Sequence, residues 1–201
     1  MPELVMFRKI LIVLLVLVLA ACTTAPTPVS TPSAEQMDAD EQAVFAALLQ
    51  KLYAAPSYVI MDTTATSPGG VGDTASSLER VGQDLAGLDQ ATSDSFQARN
   101  AAVTPMRGDM QLGSPYVVLS QAAMSQMFSQ NRDGWQVFYE QYPDAPGIIT
   151  LSRVGFNATF DQALVYIGIM SHWLAGAGTF ALLKKVNGTW IVDQQVITWI
   201  S

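Results

Sequence analysis

From Gly147 to Ser201 the chain carries four runs rich in Ile, Val, Leu, Tyr and Trp, at 148–156, 162–170, 179–186 and 190–200. Such runs, separated by polar or glycine-bearing segments, leave little room for anything but a sheet. Asn187-Gly188 stands between the last two. Both residues tolerate the positive φ of a type I′ turn, which makes this pair the strongest short hairpin signal in the chain. The turn predicts a register in which Lys185 faces Trp190, Leu183 faces Val192 and Leu182 faces Asp193. Residues 157–161 then connect the first pair of runs and 171–178 the second, giving a four-stranded antiparallel meander.

Upstream the period changes to that of helices. Asp38 and Glu41 have capping-box spacing, and Val44, Phe45, Leu48, Leu49 and Leu52 follow on one stripe that Pro56 stops. Ser76 and Glu79 repeat the box ahead of Leu78, Val81, Leu85 and Leu88. A short helix around Phe96 is expected at 93–100. Ser120 is placed to cap a helix carrying Met124, Met127 and Phe128. Asp133 is placed to cap one carrying Trp135, Phe138, Tyr139 and Tyr142, an aromatic stripe that reads as core in preference to a ligand shelf. Tyr58–Thr63 and Tyr116–Leu119 are short strand candidates that extend the sheet to five or six strands. The expected fold class is α+β, with several helices packed on one face of the sheet.

The N-terminus has another character. Arg8 and Lys9 precede ten apolar residues from Ile10 to Leu19, and Leu19-Ala20-Ala21-Cys22 ends the run. That run is too short for the roughly 20 residues of a membrane-spanning helix, and the layout is that of a secretory signal. Thr23–Ser33 holds three prolines and no charge, as an extended tether does. The expected organisation is a signal peptide at 1–21, a lipidated tether at 22–34 and a single globular domain at 35–201. Cys22 is the one cysteine, so no intrachain disulfide is available and packing alone must hold the domain.

Leu19-Ala20-Ala21-Cys22 resembles the lipobox of bacterial lipoproteins. The resemblance implies cleavage before Cys22, acylation of its thiol and an extracytoplasmic protein held on the cell membrane or outer membrane by its acyl chains, since two or more chains anchor stably. The stretch from Gly147 to Ser201 resembles the C-terminal part of uncharacterised exported bacterial proteins, from which no activity follows. Helices on a curved sheet are also loosely similar to cystatin-like and nuclear-transport-factor-like folds, and fold does not imply function.

The chain has 17 acidic and 10 basic side chains. Without Glu3, Arg8 and Lys9 the balance is 16 against 8. An acidic, scattered surface argues against nucleic acid as a partner, because phosphates call for a basic patch. It argues equally against electrostatic adhesion to anionic lipid. The expected partners are the membrane, through the anchor, and an unknown protein or small molecule.

No set of residues spells out a catalyst. His172 is the sole histidine, and no G-x-S-x-G elbow presents a serine. With Cys22 acylated, too few soft ligands remain for zinc. The glycine-rich stretches match no nucleotide-binding pattern, so no cofactor and no metal are expected. Glu140, Asp161 and Asp193 are candidate carboxylates for glycoside-type hydrolysis, should two of them converge. Arg153 is a charge within an apolar strand. It stands on the solvated face, or is buried and paired with an acid such as Asp161 or Asp193, or lines a pocket with Tyr166 and His172 and holds an anionic ligand through its planar fork. Three functions remain: a lipid-anchored binding or interaction domain, a carboxylate-dependent envelope hydrolase, and an assembly lipoprotein.

Overall fold

The computed structural model describes residues 33–65, 74–129 and 132–201, with the backbone alone for 74–76. The expectations for the leader, for Cys22 and for the tether as far as residue 32 lie outside these residues, as does most of the glycine-rich loop at 66–73.

The first helix, α1 (Ala34–Leu52), begins earlier than the capping-box spacing predicts. Ser33, not Asp38, is its N-cap, accepting a hydrogen bond from the Gln36 amide at 3.1 Å. The predicted stripe of Val44, Phe45, Leu48 and Leu49 is fully buried, each side chain contributing about 1.5–3 kcal/mol of transfer free energy. Asp40 and Glu41 lie on this buried side as well. After β1 (Tyr58–Met61) come α2 (Thr74–Asp84) and α3 (Gln90–Arg99), then β2 (Tyr116–Leu119). Next are α4 (Gln121–Phe128) and α5 (Gly134–Gln141), capped as their sequences predict by Ser120 on the Ala123 amide and by Asp133 on the Trp135 amide.

Five strands follow: β3 (Ile148–Leu151), β4 (Gly155–Phe156), β5 (Gln162–His172), β6 (Ala175–Val186) and β7 (Thr189–Ile200). Among the described residues the sheet has seven strands in the order β2-β1-β3-β5-β6-β7, with β4 also paired to β5. An α+β fold with a C-terminal antiparallel meander is what the sequence predicts, but four strands, or five or six, is too few. The run at 148–156 breaks in two because Ser152 leaves the ladder. Its hydroxyl accepts from the Tyr166 amide at 2.9 Å, and its own amide donates to the Tyr166 carbonyl. β1 runs parallel to both β2 and β3, and every other pairing is antiparallel.

The helices do not share one face of the sheet. Ala163, Val165 and Ile167 of β5 belong to the cluster under α1, while Leu164 and Tyr166 belong to the cluster under α2 and α3. On that second face α4 and α5 cover the other half of the sheet, over Val59, Met61 and Ile148. The central strands are therefore buried on both sides. Ala163-Leu164-Val165-Tyr166-Ile167 shows the continuous apolar run of such a strand, without alternation.

Asn187 and Gly188 adopt φ of 50° and 81°, the left-handed pair of the predicted turn. Lys185 faces Trp190 and Leu183 faces Val192 as expected. Beyond a bulge at Leu182/Leu183 the register slips, and Leu182 faces Gln194 instead of Asp193. The slip lets the Gln194 amide bind both the N–H and the C=O of Ala86, fastening the loop after α2 onto β7. The expected connection at 171–178 shrinks to the turn Trp173-Leu174. Gly176 and Gly178 sit inside β6, where a Cβ at Gly178 would collide with the Trp199 indole and the Tyr166 hydroxyl.

Candidate functional site

Arg153, Tyr166 and His172 do not form a pocket. Arg153 reaches back to α1, where its Nε donates to Glu41 Oε1 at 2.9 Å and its Nη2 lies 2.7 Å from Oε2. Arg99 Nη2 and the Val154 amide complete the shell around this buried carboxylate. The arginine is paired with an acid, as one expectation had it, but the partner is neither Asp161 nor Asp193. Tyr166 points to the opposite face of the sheet, in the cluster with Leu164 and Phe180, and its hydroxyl accepts from Trp199 Nε1 at 2.9 Å. His172, exposed at the end of β5, stacks on Trp135 with ring centroids 6.4 Å apart.

The three candidate carboxylates each have partners of their own. Glu140, on α5, accepts from Arg132 Nη2 through both oxygens, at 2.6 and 2.8 Å. Asp161 accepts from Asn157 Nδ2 and Thr159 Oγ1 within the β4–β5 turn. Asp193, on β7, pairs with Lys184 at 2.8 Å. All three are held below the ordinary carboxylate range by these hydrogen bonds, led by Arg132, Asn157 and Lys184 in turn. A glycosidase acid needs the opposite shift, so that it keeps a proton to donate. Among the described residues no group of three or more His, Cys, Asp or Glu is placed to hold a metal ion.

The geometry of a binding site appears elsewhere, in a cleft of about 570 Å³ between α4 and the second face of the sheet. That volume lies within the usual range of small-molecule pockets, ~300–1,000 Å³. Its floor comes from three adjacent strands. Ile148 and Met170 pair across β3 and β5, and Thr150 of β3 and Met61 of β1 stand further along the sheet. Its wall is one side of α4, formed by Gln121, Met124, Ser125 and Phe128. No charged side chain is among the described residues that line it.

The cleft has two unlike ends, and the strand directions set them. β1 and β3 run together toward Thr63, Thr64 and Thr150. The Asp62 amide bonds the Leu119 carbonyl at 2.9 Å, which brings the start of α4, with Gln121, to this hydroxyl-bearing end. The other end is aromatic. The Phe128 ring lies 5.0 Å from Trp135 and 5.3 Å from Trp173, both edge-on. A Cβ at Gly134 would strike the Phe128 ring, so this glycine lets α4 and α5 close up there.

Asp133 holds the aromatic end in place. Its Oδ1 accepts both the Trp135 amide at 3.1 Å and Trp173 Nε1 at 3.0 Å. Trp135 is 4% exposed, and its indole N–H is buried without a partner among the described residues. A donor left so costs about 1–3 kcal/mol, an expense that native structures concentrate at strained or functional places. Trp173 is 53% exposed and stands at the mouth.

Reading the sequence alone missed this site. Trp135 was visible as part of an aromatic stripe, and that stripe is largely core as expected, with Phe138 fully buried. The remaining lining residues run from Met61 to Trp173 with no spacing rule to join them. The one local signal was the apolar pair Trp173-Leu174 in a tight turn, where polar residues are the norm. No protein-family model, no curated protein and no solved structure matches the chain.

Proposed function

We propose that the chain is a lipid-anchored, extracytoplasmic binding protein whose ligand occupies the cleft between α4 and the sheet. The observation that carries the binding role is that cleft: concave, without a charged side chain among the described residues that line it, and walled by side chains such as Met124 and Phe128 that remain only partly buried. Methionine is suited to such a wall because its unbranched thioether repacks around different shapes.

The anchor rests on Leu19-Ala20-Ala21-Cys22 and on the proline-bearing segment after it. The acidic balance supports attachment through acyl chains in place of basic patches. Among the described residues no helix is long and apolar enough to cross a membrane.

Two measurements on cells producing the full chain test the proposal. Feeding an alkynyl palmitate should label the protein, and Cys22→Ser should remove the label. Native mass spectrometry of the extracted protein should show a bound small molecule that Met124→Trp, which fills the cleft, displaces. An unmodified Cys22 thiol overturns the anchor. Spectra in which neither protein carries any mass beyond its own acylated polypeptide overturn the binding role.

A further inference from the structure

We infer that the ligand is a neutral, single-chain amphiphile, its uncharged hydrogen-bonding head set among Thr63, Thr150 and Gln121 and its apolar body running toward Phe128, Trp135 and Trp173. This deepens the binding role proposed above and rests on it.

Charge is the first argument. A carboxylate, phosphate or ammonium ion buried without a counter-charge is strongly disfavoured, and the described residues of the lining offer no cation and no anion. Arg153 and Arg99 are committed to Glu41, and Arg132 to Glu140. Asp133, which holds Trp135 and Trp173 through one oxygen, keeps its charge but is not among the described residues that line the cleft. An ionic head would enter this cleft without a counter-charge among the described lining residues.

Polarity along the cleft is the second argument. Its groups are largely sorted. The hydroxyls of Thr63, Thr64 and Thr150 and the Gln121 amide gather at one end, with Ser125 beside that amide, while the other end is lined by Phe128, Trp135 and Trp173. Thr64 Oγ1 already lies 3.5 Å from Thr104 Oγ1, and Gln121 Nε2 lies 3.5 Å from Ser125 Oγ, which leaves the hydroxyls of Thr63 and Thr150 and the side-chain carbonyl of Gln121 to meet a head group such as an alcohol or amide. A purely apolar ligand would leave this end unanswered, and a uniformly polar one would waste the aromatic end.

Openness at the aromatic end is the third argument. Trp173 and Leu174 are 53% and 83% exposed at the tip of the β5–β6 hairpin. The apolar body of the ligand can therefore project past Trp173 at the mouth and need not be engulfed whole.

The test is photolabelling of the full chain in its own membrane with diazirine-bearing analogues of dodecanol, dodecanoate and dodecylammonium, followed by peptide mapping. Dodecanol should label peptides carrying Met124, Phe128, Trp135 or Trp173 at least about ten-fold more than either ion. Met124→Trp should abolish that labelling. Thr150→Val, which keeps shape and removes a hydroxyl, should lower dodecanol labelling several-fold and leave labelling by a diazirine-bearing dodecane unchanged. Folding of both variants is checked by circular dichroism, and Thr150→Ser, which restores the hydroxyl, should recover the label. Preferential labelling of the cleft by an ion overturns this ligand class while the binding role stands. Absence of cleft labelling by all four probes overturns both.

Discussion

Arg153 grips Glu41 through two parallel contacts, Nε to Oε1 at 2.9 Å and Nη2 to Oε2 at 2.7 Å, joining the break between β3 and β4 to the first helix. Arg99 of α3 reaches the same carboxylate at 3.0 Å. One buried acid thus ties three segments that are distant in sequence. The geometry is the bidentate one in which arginine exceeds lysine.

Glu41→Ala should destabilise the domain by about 3 kcal/mol, because it strands two partly buried guanidinium groups. Urea denaturation would show it as a lower midpoint at unchanged slope. In a double-mutant cycle with Arg153→Met the coupling should be about 1–2 kcal/mol. Additive losses would mean the pair is incidental.

Asp40, the neighbouring acid, accepts from Lys185 Nζ at 2.6 Å, Trp190 Nε1 at 2.9 Å and Gln36 Nε2 at 3.0 Å. Burial alone pushes its carboxyl up, but these hydrogen bonds outweigh it and hold the group below its ordinary value. The stability it contributes is present above the unfolded value of ~3.9 and is lost as pH falls through the lower folded value. Denaturation midpoints between pH 6 and pH 2 should fall more steeply for the native chain than for Asp40→Asn.

Much of this arrangement was legible in the sequence, and the remainder was hidden for physical reasons. The β6–β7 hairpin was plain because Asn187-Gly188 is a local signal, and the caps at Ser120 and Asp133 were plain for the same reason. That Arg153 pairs with an acid was one of the readings the sequence left open. Which acid was not legible, since Glu41 stood in a capping-box pattern and its role depends on α1 crossing the sheet. The parallel pairing of β1 with β2 and β3, and the division of helices between two faces, are non-local and leave no spacing in the chain. Gly176 and Gly178 read as loop, yet they are glycine because Met170 and Trp199 occupy the space of a side chain. The cleft was least legible, because its residues come from five segments.

Gly178→Ala should separate Trp199 from Tyr166, whose 2.9 Å hydrogen bond passes where the new methyl would sit. Overpacking of this kind costs about 1–3 kcal/mol. Thermal melting should show the loss, and near-ultraviolet circular dichroism should show an altered tryptophan signal.

Tyr53, at the end of α1, has its phenol pushed up to about 12 by burial. Absorbance titration at 295 nm should reveal a late-ionising tyrosine that Tyr53→Phe removes. Because the folded value lies above the unfolded one of ~10, this contribution to stability is present below pH ~10 and is lost as pH rises further.

The cleft is the centre of this account, and methyl NMR addresses it most directly. The described residues after 32 fall in one compact unit with its own buried core, so an untethered protein beginning at Thr31 and labelled at the methionine methyls is a suitable sample once circular dichroism shows it folded. On titration with 1-dodecanol the Met61, Met124 and Met170 resonances should shift together to saturation, while Met106 and Met110, packed under α1, stay in place. Unchanged spectra for the three cleft methionines, or shifts confined to Met106 and Met110, would contradict the account.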